Sequence, residues 1–468
     1  MDAPAKTPYD PRTFKALTYL DATPAFAAGK DTPRAYLERC LETVREREPV
    51  VKAFASLNED AARAAADAST ARWRDGKTLS PIDGMPIAIK DLLETKDHPT
   101  QFGCAAFAGN FPKRDNAAVR ALRQAGAVIC GKTVTAELGG THPGPTTNPF
   151  DAARTPGGSS SGSAAAVGAR MLPAAIGTQV GGSIIRPAAY CGNFALKPSQ
   201  GAINRGERMA TSMSTHGPHA GSLADMWQVA IEIARRAGGD RGCRALAGPD
   251  TLPTPAKPAR LVVLETAGWA VTDDASKAAF REILDQLAAK GVAQVDRRAD
   301  TAVDAFEASI QDAGRIASDI TGWENRWSQR NILDEHPGRI SARALAGLEK
   351  AEAMTPGDYE RLLDERAAAM ARHAALVGLA DAAITLSCPG PAPLLVVDRP
   401  GQPPAPHATG NAVFNYPSSL VGAPVVTLPL IAVGGLPVGV QVMGQPGGDA
   451  KVTAIARWIW ENVRPAVV

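Results

Sequence analysis

No two of the six cysteines stand close together: Cys40, Cys104, Cys130, Cys191, Cys243 and Cys388 are scattered, and no CxxC pair occurs. That argues against a disulfide framework or a zinc-binding motif and fits free thiols in a reducing cytosol. A charge surplus is missing as well. The 50 Lys+Arg residues face 48 Asp+Glu, leaving +2, so nothing electrostatic recommends nucleic acid or an anionic membrane as a partner. No apolar run reaches the about 18 residues that a membrane span requires. The opening "MDAPAKTPYDPRTF" places acids and prolines where a secretion signal has basic residues and an apolar stretch. Internal repeats and low-complexity tails are also lacking. These absences point to a soluble, cytoplasmic protein whose partner is a small molecule or another protein.

What is present is ordinary globular material: 468 residues, 45% hydrophobic and 21% charged, enough for a large core. Thr32-Pro33 reads as an N-cap and first helical position ahead of "RAYLERCLETVRERE". A second helix is expected from Asn58 to a glycine stop at Gly76, and "GMPIAIKD" (84–91) is expected to be a buried strand ending at Lys90. Residues 116–133 read as helix, glycine stop, then strand, and 222–239 as a helix with a serine cap. Beyond the Pro-rich stretch 247–259, strand, helix and strand recur. Residues 302–378 read as mainly helical, and strands return at 381–387 and 423–430. Such alternation predicts an α/β fold, a mixed sheet covered by helices on both faces.

Three motifs invite chemistry. "GAVICGKT" (126–133) satisfies the phosphate-loop pattern, but its helix precedes the first glycine and its four intervening residues read as the strand itself. A phosphate loop needs the opposite order, so the match is structural. "TPGGSSSGS" (155–163) packs four serines and three glycines into nine residues and contains a G-x-S-x-G centred on Ser160. A nucleophile elbow follows a buried strand, which "DAARTP" is not, and it needs a histidine partner. The seven histidines read mostly as loop residues; His216 and His219 in "THGPHAG" lack a third metal ligand and are expected in a loop. The third motif, "GTQVGGSIIRPAAYCG" (177–192), sets Ser183 behind two glycines between apolar segments. Consecutive glycines let backbone N–H groups converge on one point, as an oxyanion hole requires, although a tight packing turn would read alike.

Three separated pieces together resemble the amidase signature family: "SPIDGMPIAIKDLLETKDHPTQFGC" (80–104), the Gly/Ser-rich 148–201, and 409–444 with "TGNAVFNYPSSLVGAPVVTLPL" and "GGLPVGVQVMG". "GAVICGKT" belongs to the same pattern. The resemblance implies one large α/β/α amidase domain over 1–468. Within it, a signature core would span 80–226, a variable substrate-shaping region 240–405, and a C-terminal return to the sheet 406–468. It implies a Ser–cis-Ser–Lys triad in which Ser183 is the nucleophile, Ser159 the relay after a cis peptide bond, and Lys90 the base. The N–H groups of Val180, Gly181, Gly182 and Ser183 would form the oxyanion hole. Neither metal nor cofactor is implied, and a homodimer is suggested. Holding a lysine neutral at pH 7 costs roughly 4.6 kcal/mol, within what burial can supply in a dry site.

Two departures bear on substrate. Many family members carry aspartate where Gln179 stands, and arginine two residues after the nucleophile, where this chain has Ile185 and then Arg186. That form resembles the malonamidase-like branch, so Arg186, with Gln179, is a candidate for binding a carboxylate-bearing substrate. Arg186 could equally pair with structural carboxylates or carbonyls beside the site. The expected activity is hydrolysis of a small or medium amide. The alternatives are the amidase subunit of a multi-protein amidotransferase and a Ser-His-Asp type esterase using Ser160.

Overall fold

A computed structural model describes residues 7–206, 211–396, 398 and 404–468. Residues 1–6 of the segment read for a secretion signal, 207–210 of the signature core, and 397 and 399–403 of the substrate-shaping region lie outside the described residues.

Twelve strands occur among the described residues: β1 (Phe54–Leu57), β2 (Pro86–Lys90), β3 (Val128–Thr133), β4 (Ala174–Gln179), β5 (Phe194–Lys197), β6 (Thr215–Ala220), β7 (Arg260–Val263), β8 (Ala293–Val295), β9 (Ala382–Leu386), β10 (Val425–Val433), β11 (Leu436–Met443) and β12 (Ala466–Val467). They form one sheet in the order β1-β3-β2-β4-β6-β5-β10-β11-β9-β7-β8, with β12 beside β10. The sheet is mixed: β2 runs parallel to β3 and β4, while β4 and β6 are antiparallel. Every residue of β2, β3, β4, β5, β6, β9 and β11 is buried. Because successive side chains point to opposite faces, continuous burial means that both faces are covered. This is the expected α/β arrangement.

The helix starts follow their caps. Thr32 accepts from the Ala35 N–H ahead of helix Pro33–Val51, Asn58 from Ala61 ahead of Glu59–Arg74, and Ser222 from Asp225 ahead of Leu223–Ala237. Helix Ala117–Gln124 precedes β3 as the 116–133 reading requires, and three of the four residues between the two glycines of "GAVICGKT", Val128 to Cys130, are strand.

One reading needs correction. His216 and His219 do not lie in a loop; they sit in β6, near the middle of the sheet. Gly217 and Pro218 make the stretch look like a turn. Gly217 is there because a Cβ would lie 2.0 Å from the Leu196 carbonyl oxygen of β5. Pro218 is tolerated because β5 pairs with β6 only at Phe194↔Ala220 and Ala195↔His219, short of the proline.

Candidate active site

The apolar run "MPIAIK" makes β2 a strand buried on both faces, and Lys90 is its last residue, 0% exposed. The ammonium-bearing end has no carboxylate partner among the described residues. Instead Nζ donates to Ser159 Oγ at 2.8 Å, Thr178 Oγ1 at 2.9 Å, Ser160 Oγ at 3.0 Å and the Thr178 carbonyl at 3.4 Å. Burial, with the positive charge of Arg186 adding to it, holds the Lys90 pKa well below the ordinary lysine value. A buried amine whose charged form is disfavoured, in hydrogen-bond contact with a serine hydroxyl, suits a base and its relay.

Ser159 follows a cis peptide bond to Gly158, and its carbonyl accepts from the Ala136 N–H at 3.0 Å. Its neighbours have other employment. Ser160 Oγ donates to the Thr178 carbonyl and accepts from the Thr178 N–H, both at 3.2 Å, while Ser161 Oγ donates to the Gly157 carbonyl at 2.8 Å. Both shape the loop that leads into helix Ser161–Gly168. A histidine does come near Ser160: a Cβ on Gly177 would lie 2.7 Å from His219 Nε2 and 2.8 Å from Ser160 Oγ. Ser160 is nevertheless 0% exposed, its hydroxyl is committed, and the His219 ring nitrogens make no hydrogen bond. Nothing there offers a nucleophile to a substrate.

Ser183 is different. It is half-buried rather than sealed, its hydroxyl makes no hydrogen bond to any described residue, and it precedes helix Ile185–Tyr190. Its carbonyl accepts from the Ser160 N–H at 3.3 Å, which joins the two Gly/Ser segments. The N–H groups of Val180, Gly181, Gly182 and Ser183 donate to no described residue. The turn's other groups are tied down. Gly181's carbonyl accepts from Ser419 Oγ at 2.8 Å, and Gly182's from the Arg186 N–H at 3.0 Å. Four unspent donors on a fixed turn beside a free hydroxyl suit an oxyanion.

Gln179, grouped by sequence with the substrate-binding residues, is buried under this turn. Its Oε1 accepts from the Ile184 and Ile185 N–H groups at 2.8 and 3.0 Å, and its Nε2 donates to Ser419 Oγ at 3.1 Å. All of these bonds are internal. Arg186 is buried too. Nε donates to the Thr409 carbonyl at 2.9 Å, and Nη2 donates to the Gly158 carbonyl at 2.5 Å and to Thr409 Oγ1 at 3.1 Å. Nη1 makes no bond to a described residue, and no described carboxylate pairs with the guanidinium. Sequence reasoning missed Thr178, Thr409 and Ser419. Thr178 adjoins Gln179 in "GTQ", and the other two lie in the C-terminal stretch already quoted for its resemblance.

A family model described as Amidase matches residues 35–453. The chain is 43% identical over 218 residues to a glutamyl-tRNA(Gln) amidotransferase subunit of Chloroflexus aurantiacus, covering 45% of this chain and 45% of that protein. It thus spans about half the length of such curated relatives. The corresponding subunit of Myxococcus xanthus is 28% identical over 470 residues, 94% of this chain and 96% of its own length. A crystal structure of an amidase matches with a TM-score of 0.82 at 29% identity, covering 96% of this chain and 100% of that one.

Proposed function

This chain belongs to the amidase family, matching its model over residues 35–453, and from that premise we propose that it hydrolyses the carboxamide C–N bond of a small or medium amide. The observation that carries the reading is Lys90: buried, without a carboxylate, and 2.8 Å from Ser159 Oγ. Ser183 Oγ attacks the amide carbonyl while its proton passes through Ser159 to neutral Lys90. The negative charge on the carbonyl oxygen is received by the N–H groups of residues 180–183. Breaking the C–N bond returns the proton to the departing ammonia or amine and leaves an ester on Ser183. Water, deprotonated through the same relay, then releases the acid and restores the serine.

Arg186 supports a substrate bearing a carboxylate. Its Nε and Nη2 hold the Thr409 and Gly158 carbonyls, as the structural alternative expects, and the carboxylate reading rests on Nη1, which makes no bond to a described residue. Gln179 acts here as support for the oxyanion turn rather than as a substrate contact. All six cysteines are free, which supports a reducing compartment such as the cytoplasm. Among the described residues no helix is long and apolar enough to cross a membrane.

The test is ammonia release from matched acid-bearing and neutral amides by the purified chain and by Lys90→Ala and Ser183→Ala. Loss of activity in both variants with folding retained is the expected result; normal turnover in either removes the triad. The names of the curated relatives favour a second reading, an amidase subunit working with partner proteins. Turnover of free amides by the chain alone would exclude it, and activity only with added partners would establish it.

A further inference from the structure

The triplet Gly131-Lys132-Thr133, left over from the phosphate-loop resemblance, is placed where it touches both halves of the site. β3 lies beside β2, with Ile89 opposite Lys132 and Lys90 opposite Thr133. Lys132 Nζ pairs with Asp91 Oδ1 at 3.0 Å, the two side chains being 0% and 2% exposed. It also donates to Thr100 Oγ1 at 2.7 Å and the Pro99 carbonyl at 3.3 Å. Asp91 is the residue after Lys90. Its N–H donates to the Thr133 carbonyl at 3.0 Å, its Oδ2 accepts from the Gln101 N–H at 3.1 Å, and its carbonyl accepts from Phe102 at 3.0 Å. The polar groups of Asp91 therefore lead to β3 or to the loop that Lys132 ties down. On the other side, Ser163 Oγ donates to the Ile176 carbonyl at 3.0 Å, so the 2.7 Å contact with Thr133 Oγ1 is a bond that Thr133 donates. The Gly162 N–H donates to the Val134 carbonyl at 2.9 Å. These bonds hold the helix whose first turn follows Ser159 and Ser160.

We propose that Lys132 and Thr133 are positioning residues: Lys132 compensates the charge of Asp91, Thr133 anchors the serine helix, and β3 thereby fixes where Lys90 meets Ser159. The proposal rests on the catalytic reading of those two residues. Two lysines on neighbouring strands thus carry opposite duties. Lys132 has a carboxylate partner, whose pairing opposes the downward pull of burial on its pKa; Lys90 has none. The charged and titratable groups that act on or with Lys90 are Arg186 from helix Ile185–Tyr190 and His216 and His219 from β6, while the Asp91–Lys132 pair begins at the next residue of the chain. Around the pair itself stand His98, Glu94 and Asp97. With Asp91 balanced, no net negative charge beside β2 pulls a proton onto Lys90.

The test is the pH profile of kcat/KM for Lys132→Met, Asp91→Asn and the double variant. Lys132→Met leaves a carboxylate unbalanced and moves the acidic limb to higher pH, by about 0.5 to 1 unit. Asp91→Asn leaves a cation unbalanced and moves it lower. The double variant, which replaces a buried ion pair by neutral groups of similar shape and is the one best suited to fold, returns the limb to the parent position. In parallel, Thr133→Val lowers kcat about 10-fold or more at unchanged KM, and Thr133→Ser restores it. A structural role alone lowers the melting temperature and leaves the limb in place. Limbs that coincide in Asp91→Asn, the double variant and the parent, or a Thr133→Val enzyme with parental kcat, would overturn the proposal. Lys90→Ala distinguishes the two levels: full activity there defeats the catalytic reading itself.

Discussion

Lys90 touches three hydroxyls and one carbonyl, and each of these can accept a hydrogen bond but none can supply a compensating charge. A lysine so placed is useful as a base and costly to the fold. Its folded pKa is depressed, so between that value and the ordinary lysine value the unfolded chain binds the extra proton, and stability rises with pH across that window. Lys90→Met is accordingly expected to raise the melting temperature at pH 7 while lowering kcat/KM by about 100- to 10,000-fold; a melting point below the parent's would contradict the depressed pKa. Arg186→Ala is expected to raise KM for acid-bearing amides and to leave neutral amides less affected, which steady-state kinetics on matched substrates would reveal. The serines and lysine of the proposed triad could be picked out in the sequence because their spacing and neighbours carry the family pattern. Arg186 and Gln179 were harder: a sequence shows that an arginine is present, not that Gly158 and Thr409 already hold most of it.

At the scale of elements, the proposed oxyanion turn is held by Gln179 and by Ser419, which Gln179 also touches. Gln179→Leu would free the Ile184 and Ile185 N–H groups together and remove the donor that Ser419 Oγ accepts from. The expected result is a fall in kcat of about 10- to 100-fold with little change in KM, because the turn is used in the transition state more than in binding. The strand β6 makes a complementary point. Gly217→Ala drives a methyl to 2.0 Å from the Leu196 carbonyl, and chemical denaturation should show a loss of about 1–3 kcal/mol or more. That same glycine, with Pro218, hid the strand in the sequence, since both residues ordinarily punctuate turns. Strands such as β2 and β3 were visible because they are short apolar runs between turn residues. β6 is a strand by its neighbours rather than by its own propensity.

For the whole molecule, the C-terminal strands β10 and β11 stand between β5 and β9 in the sheet, joining β1 to β6 with β7, β8 and β9. No local pattern announces a pairing of Val425 with Lys197 or Gln441 with Thr385; such register is set by packing over long sequence separations. Placing β6 inside this sheet also buries His216 and His219, whose pKa values fall to about 3, chiefly by desolvation, with Arg205 and Lys90 adding for His216 and Lys90 for His219. The unfolded chain takes up those protons near the ordinary histidine value. Stability is therefore lost as pH falls from about 6.5 toward 3, at about 1.4 kcal/mol per pH unit for each histidine. Urea unfolding between pH 7 and pH 4 should show that slope, and His216→Phe with His219→Phe should flatten it; an unchanged slope in the double variant would mean that other groups carry the acid sensitivity.

The proposed catalysis depends on Ser183 as the residue that attacks and Lys90 as the group that takes its proton. Intact mass and peptide mapping of enzyme quenched during turnover of a slowly hydrolysed amide test this most directly. The predicted result is one acyl group on the peptide containing Ser183, absent from Ser183→Ala and accumulating far more slowly in Lys90→Ala. An acyl group on Ser160, or one that forms on Ser183 at the parental rate without Lys90, would contradict it.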